Sequence, residues 1–300
     1  MTDVATSFLE ATIRTATPLA FAAIGETVVE RTGIINIGLE GSIIAGALAG
    51  VVVAGHQGVW MGVAGAALAG ACVSALVALF VVGIRANQII VGTAISMLAL
   101  GATGTLYRII YGSAGVALST PTLSPTRVPI LANIPIVGPA LFNQPSLTYG
   151  AYVLMPLVWL WLYHTHNGLA LRAIGEQPEA AAAAGIPSRR MRCGALLVGG
   201  GLGGIAGAVL SLAQAGTFAE GMSAGRGFIA IAIVVLGRWR PMGVALAALL
   251  FGAASALQYL FQATGSSLPY QLFLTLPYLL TLIALATARG TASAPAALGR

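Results

Sequence analysis

The residues of this chain best equipped for chemistry are few and clustered. Residues 30–46 read ERTGIINIGLEGSIIAG and set Glu30, Arg31, Asn36 and Glu40 at the edge of a long apolar run. There, a carboxylate and a carboxamide could hold backbone groups that a broken helix leaves loose, or line a path for a polar solute, and the spacing leaves both roles open. Gly221, Ser223 and Gly225 match G-x-S-x-G, which in a hydrolase presents a nucleophilic serine beside a histidine and an acid. His56, His164 and His166 lie far from that serine in sequence and have no companion acid, so no catalytic residue is expected. His164-x-His166 also falls short of the three or four ligands of a zinc site, and neither metal nor cofactor is expected. Gly199, Gly201 and Gly204 satisfy G-x-G-x-x-G, but no strand precedes them and close helix packing is their expected role. All 14 basic residues are Arg, so a Walker lysine is absent and ATP must bind elsewhere.

The elements that position these residues follow from composition. Of 300 residues, 58% are hydrophobic and 7% charged, with mean hydropathy +0.92. A soluble surface needs roughly a quarter charged residues. Apolar runs near the ~20 residues of a bilayer core recur, and only helices or closed barrels satisfy their backbone there. The chain reads as one all-α polytopic transmembrane bundle over residues 1–300, with about eight or nine spans, some broken or re-entrant. Spans are expected near 16–30, 34–54, 59–83, 88–111, 148–164, 193–214, 226–237, 241–262 and 269–288. Residues 112–147 carry six prolines, too many for a helix, and read as an ordered external loop. Residues 165–192 form a cytoplasmic loop, because Arg85, Arg172, Arg189, Arg190, Arg192, Arg238, Arg240, Arg289 and Arg300 fall on one side. No basic stripe suited to nucleic acid is present. Met1 to Pro18 lacks the pattern of a cleaved leader.

In this scheme Glu30 and Arg31 end the first span among headgroups, whereas Asn36 and Glu40 share one face of the second, at i and i+4. A charge at that depth costs on the order of 3 kcal/mol unless it faces the bundle interior. Gly33, Gly38 and Gly41 supply the freedom for a break. Gln88 and Gln214 are further lining positions, or helix–helix hydrogen bonds. Glu220 and Arg226 bracket an external glycine-rich link, as an ion pair or as contacts for a binding protein. Trp239 reads as an interfacial anchor.

From Pro178 a short helix is expected, with Glu179 in its first turn, five alanines, and Gly185 and Pro187 to end it. Glu179, Ala180, Ala181 and Gly185 spell E-A-A-x-x-x-G, which resembles the coupling motif of ABC-importer permeases. Three blocks carry the resemblance: ERTGIINIGLEG (30–41), NGLALRAIGEQPEAAAAAGI (167–186) and GRGFIAIAIVVLGRWRPMG (225–243). Together they are similar to permease subunits of bacterial nucleoside and simple-sugar ABC importers, related to ribose and branched-chain amino acid permeases. The resemblance implies a permease of the bacterial cytoplasmic (inner) membrane, itself no enzyme, that meets a cytoplasmic ABC ATPase through Arg172, Glu179, Ala180, Ala181 and Gly185. It also implies a second homologous permease subunit, an extracytoplasmic substrate-binding protein and surrounding membrane lipid. Branched-chain amino acids remain an alternative cargo, and a channel or secondary transporter without an ATPase is the rival class, since broken helices are common to both.

Overall fold

The computed structural model describes residues 2–112, 121–129, 131–135, 137–263, 275, 279, 282–283 and 294–299. Among these, eleven helices run in the order α1 (Thr2–Glu30), α2 (Leu39–Gln57), α3 (Val59–Ala78), α4 (Gln88–Tyr111), α5 (Val137–Phe142), α6 (Ser146–His164), α7 (His166–Glu176), α8 (Pro178–Ala183), α9 (Ser188–Ala208), α10 (Arg226–Leu236) and α11 (Pro241–Ala263). Both α3 and α9 continue as π-helical turns, over Leu79–Gly83 and Val209–Ala215.

Among the described residues, six helices are long and apolar enough to cross a membrane, with α3 and α9 counted together with their π turns. The helix α1 is not among them, yet every residue from 16 to 30 is buried. It stands at the centre of the bundle, where it meets protein rather than lipid and so tolerates polar side chains. It also begins well before the expected residue 16. The helix α10 has 11 residues, about 16 Å at ~1.5 Å per residue, roughly half of a ~30 Å hydrocarbon core. The expected span 269–288 lies outside the described residues.

Close packing depends on the glycines of α9. A Cβ on Gly199 would stand 2.5 Å from Val29 Cγ2, and one on Gly204 would collide with the Ala66 carbonyl oxygen. The G-x-G-x-x-G pattern is therefore a helix-packing surface.

Three expectations change. The second span begins at Leu39, not residue 34, because residues 31–38 are non-helical and Gly33 adopts φ +90°. Asn36 and Glu40 consequently share no helix face. The stretch 112–147, expected as an external loop, holds α5 despite its prolines, since Pro139 sits in the first turn, where its missing N–H is not needed. Strands β1 (Pro125–Arg127) and β2 (Asn143–Pro145) pair antiparallel there, Thr126 opposite Gln144. Finally, residues 165–192 contain α7 as well as the expected short helix, its N-terminus capped by the Thr165 hydroxyl accepting from Gly168 N–H at 3.1 Å.

Candidate functional site

Residues 31–38 place irregular backbone inside the bundle, where each N–H and C=O must find a partner. Side chains from three helices and the backbone of one tail provide them. Glu26 of α1 accepts from Asn36 N–H at 2.8 Å, and Gln88 of α4 from Ile35 N–H at 2.9 Å. Ser96 of α4 donates to the Ile37 carbonyl at 2.9 Å, and Arg192 of α9 to that of Thr32 at 3.2 Å. The Asn36 carboxamide donates to Ser74 Oγ of α3 at 3.2 Å, and Ser74 in turn meets Ser42 of α2 at 3.1 Å. Residues 294–299 seal the lower edge: Gly299 N–H donates to the Gly33 carbonyl at 3.1 Å and Ala297 N–H to that of Gly175 at 2.9 Å.

The two ends of this segment hold the two ends of α10. Glu40, 6% exposed, accepts from Gly225 N–H at 2.9 Å and Gly227 N–H at 2.7 Å, placing a carboxylate on the helix N-terminus. Neither Gly225 nor Gly227 has side-chain bulk to obstruct it. A Cβ on Gly227 would stand 2.7 Å from Glu40 Cα. At the other end, Arg238 and Trp239 turn the chain into α11 with φ +57° and +53°, a left-handed conformation unfavourable for two consecutive non-glycine residues. The turn is clamped: Trp239 Nε1 donates to the Glu30 carboxylate, and Arg31 Nε to the Trp239 carbonyl at 3.0 Å. Strain of this kind persists only where the surroundings over-determine it.

Arg31 also reaches the segment of residues 165–192. It donates to Tyr163 Oη of α6 at 3.1 Å and pairs with Glu176 at the end of α7 at 3.9 Å. The backbone of α7 packs beside it, where a Cβ on Gly175 would stand 3.4 Å from Gly33 N. Thus the blocks 30–41, 167–186 and 225–243 meet in one place. Several buried polar atoms around them have no partner among the described residues: Glu26 Oε2, Glu30 Oε1, Asn36 Oδ1 and Ser223 Oγ.

The sequence-derived positions separate accordingly. Asn36, Glu40 and Gln88 surround the break. Gln214 does not join them: it lies near the outer surface, donating to the Arg14 carbonyl at 2.6 Å. Glu220 and Arg226 form no ion pair with each other. Glu220 takes a two-pronged bond from Arg108 of α4 at 2.7 and 2.8 Å, which holds its carboxyl below the usual carboxylate range. Arg226 donates to the carbonyls of Met222 and Ser223. Glu30, expected among headgroups, is 1% exposed, because α1 ends inside the bundle, and Trp239, read as an interfacial anchor, is buried on it. On α8, Glu179 and Ala180 are exposed and Ala181 is buried, while Gly185 beyond it has φ +78°. Arg172 lies over the Tyr163 ring at 4.6 Å. Glu26 escaped the sequence reading altogether, although its i, i+4 spacing from Glu30 on an apolar helix marks the same face. Ser74 and Ser96 gave no such sign. The G-x-S-x-G serine has no histidine beside it in these contacts, and no cluster of metal-ligating residues occurs among the described residues.

Comparison with known proteins gives this geometry its family. The chain is 36% identical over 293 residues to the nucleoside ABC transporter permease protein NupC of Lactococcus lactis, covering 94% of this chain and 92% of that protein. It is 36% identical over 299 residues to the guanosine ABC transporter permease protein NupQ of Bacillus subtilis, covering 96% and 94%. A Haloferax volcanii protein carrying the name glucose ABC transporter permease protein TsgC13 is 37% identical over 269 residues, covering 88% and 80%. No solved structure matches. The family model described as branched-chain amino acid transport system / permease component matches residues 8–285, and the chain belongs to that family of ABC transporter permeases.

Proposed function

We propose that this permease carries a nucleoside or a related simple sugar inward through the cytoplasmic membrane, driven by an ATPase seated on α7 and α8. A permease of this family works with a cytoplasmic ATPase and an external substrate-binding protein. A second, homologous permease subunit completes the path in this reading. The cargo follows the names of two relatives, a nucleoside and a guanosine permease.

The observation that carries the mechanism is Arg31. Through Glu176 it touches the end of α7, and through the Trp239 carbonyl it touches the turn below α10. Motion of the elbow formed by α7 and α8 on ATP binding passes through Arg31 to α10, a half-length helix held at its upper end by Glu40. Arg172, Glu179, Ala180, Ala181 and Gly185 form the ATPase seat, in which small alanines permit close approach. Asn36, Glu40 and Gln88 border the path at the break, with Ser223 above it. Gln214, beside Arg14, belongs to the outer entrance. Glu220 and Arg226 shape the outer surface that receives the binding protein.

Reconstituted vesicles containing the permease and its partner subunits should take up radiolabelled guanosine or another nucleoside only with ATP inside the complex's nucleotide sites. Uptake without ATP would favour a channel or secondary transporter, and ATP-driven uptake of leucine but not of nucleosides would reassign the cargo.

A further inference from the structure

We propose that the cleft between α6, α10 and α11 at the cytoplasmic rim binds the phosphate of an anionic phospholipid of the inner leaflet. The cleft measures about 830 Å³, and its lining includes Arg31, Arg238, Arg240, Trp159, Tyr163 and Leu246. Arg238 and Arg240 are exposed, and among the described residues neither guanidinium has a hydrogen-bond or ion-pair partner. Among the described residues no acid lines the cleft. Glu176 is engaged by Arg31, and Glu30 by the Trp239 indole.

The strained turn sets both arginines in advance. With Arg238 and Trp239 in left-handed conformation and Trp239 clamped from two sides, binding a headgroup orders no backbone that is not already ordered. From the arginines the wall descends onto Met242, 44% exposed, and Leu246, 70% exposed, an apolar strip that an acyl chain would cover. Trp159 and Tyr163, of residue types that favour the membrane interface, line the cleft beside the arginines. A basic pocket between spans on the cytoplasmic side suits an anionic headgroup. The proposal is independent of the cargo and rests on the reading that the turn between α10 and α11 faces the cytoplasm.

The test uses the assembled complex in nanodiscs of phosphatidylglycerol and phosphatidylcholine, with retained lipid identified by native mass spectrometry. Wild type should retain phosphatidylglycerol, and Arg238→Gln with Arg240→Gln should weaken retention roughly fivefold per arginine, about 25-fold together. Arg238→Lys with Arg240→Lys should keep most of it, as should Arg189→Gln with Arg190→Gln at another part of the same face. Equal retention by the wild type and the Gln pair would overturn the proposal, as would loss of lipid from the Lys pair. Displacement of the lipid by inorganic phosphate alone would assign the cleft to a soluble anion. Release of the ATPase subunit from the Gln pair in lipid-free detergent would make the arginines a protein contact, and either result sinks the lipid site.

Discussion

Exchanging Glu40 for Gln tests the hold on α10 with almost no change of shape. The carboxylate offers one oxygen to Gly225 N–H at 2.9 Å and the other to Gly227 N–H at 2.7 Å. A carboxamide has a single acceptor oxygen and an NH2 group that donates. One backbone N–H therefore loses its acceptor and confronts another donor. A hydrogen bond to a charged group contributes about 1.5–3 kcal/mol net, and an orphaned buried donor costs about 1–3 kcal/mol. Removing negative charge from a helix N-terminus costs a further ~0.3–2 kcal/mol. These contributions overlap, so we expect about 3–5 kcal/mol in total. An 11-residue helix has almost no stability of its own to absorb that loss. In hydrogen-exchange mass spectrometry of the assembled complex, amides 226–236 should exchange roughly 150-fold to 5,000-fold faster in Glu40→Gln. ATP-driven uptake should collapse with it, while the ATPase stays bound. If uptake is lost but exchange in α10 is unaltered, Glu40 meets the solute rather than the helix and the reasoning is refuted. Unaltered exchange with normal uptake refutes it as well.

Three further outcomes are expected. Trp239→Phe strips the Glu30 carboxylate of its indole donor, and since Glu30 Oε1 already lacks a partner, thermal unfolding should register a loss of about 1–3 kcal/mol; adding Glu30→Gln should restore part of it. Gly185→Ala meets no atom within 4 Å but forces alanine to φ +78°, at about 1–2 kcal/mol, so uptake per ATP hydrolysed should fall while the unfolding temperature of the bundle holds. At the end of α4, the Arg108 bond lowers the Glu220 pKa below its unfolded value, so its stabilising effect is complete above the ordinary carboxylate range and disappears as pH falls through the lowered value. The distance between spin labels at Thr105 and Ala219 should therefore broaden only in strong acid, and Glu220→Gln should show the broad distribution already at pH 7.

The polar block at 30–41 was legible because each charge in an apolar chain demands a reason. Its partners were not. That Glu40 belongs to Gly225 and Gly227 involves pairs 185 and 187 positions apart in sequence, which no periodicity records. The central place of α1 was hidden for a related reason: hydropathy ranks a helix by its fitness for lipid, and a helix enclosed by others need not have it. Residues 226–237 looked too short for a span, and α10 is indeed 11 residues long; the meaning of that shortness required the carboxylate above it. The pairing of Glu220 with Arg108 rather than Arg226 depended on how α4 ends, while α7 was masked by a polar setting in which only Leu171 and Ile174 mark a buried face. The E-A-A-x-x-x-G spacing was visible directly, because Pro178, the alanines and Gly185 act locally.

The attachment of Glu40 to a helix made much later has a cost during synthesis. While the ribosome is adding residues 41–224, the nascent hairpin carries an acid at bilayer depth with no amide to receive it, so early segments must linger beside the insertion machinery, or pass to a chaperone, until Gly225 and Gly227 arrive. Truncated chains ending before residue 225 should thus be prime substrates for membrane quality-control proteases, whereas chains released after α10 should escape them.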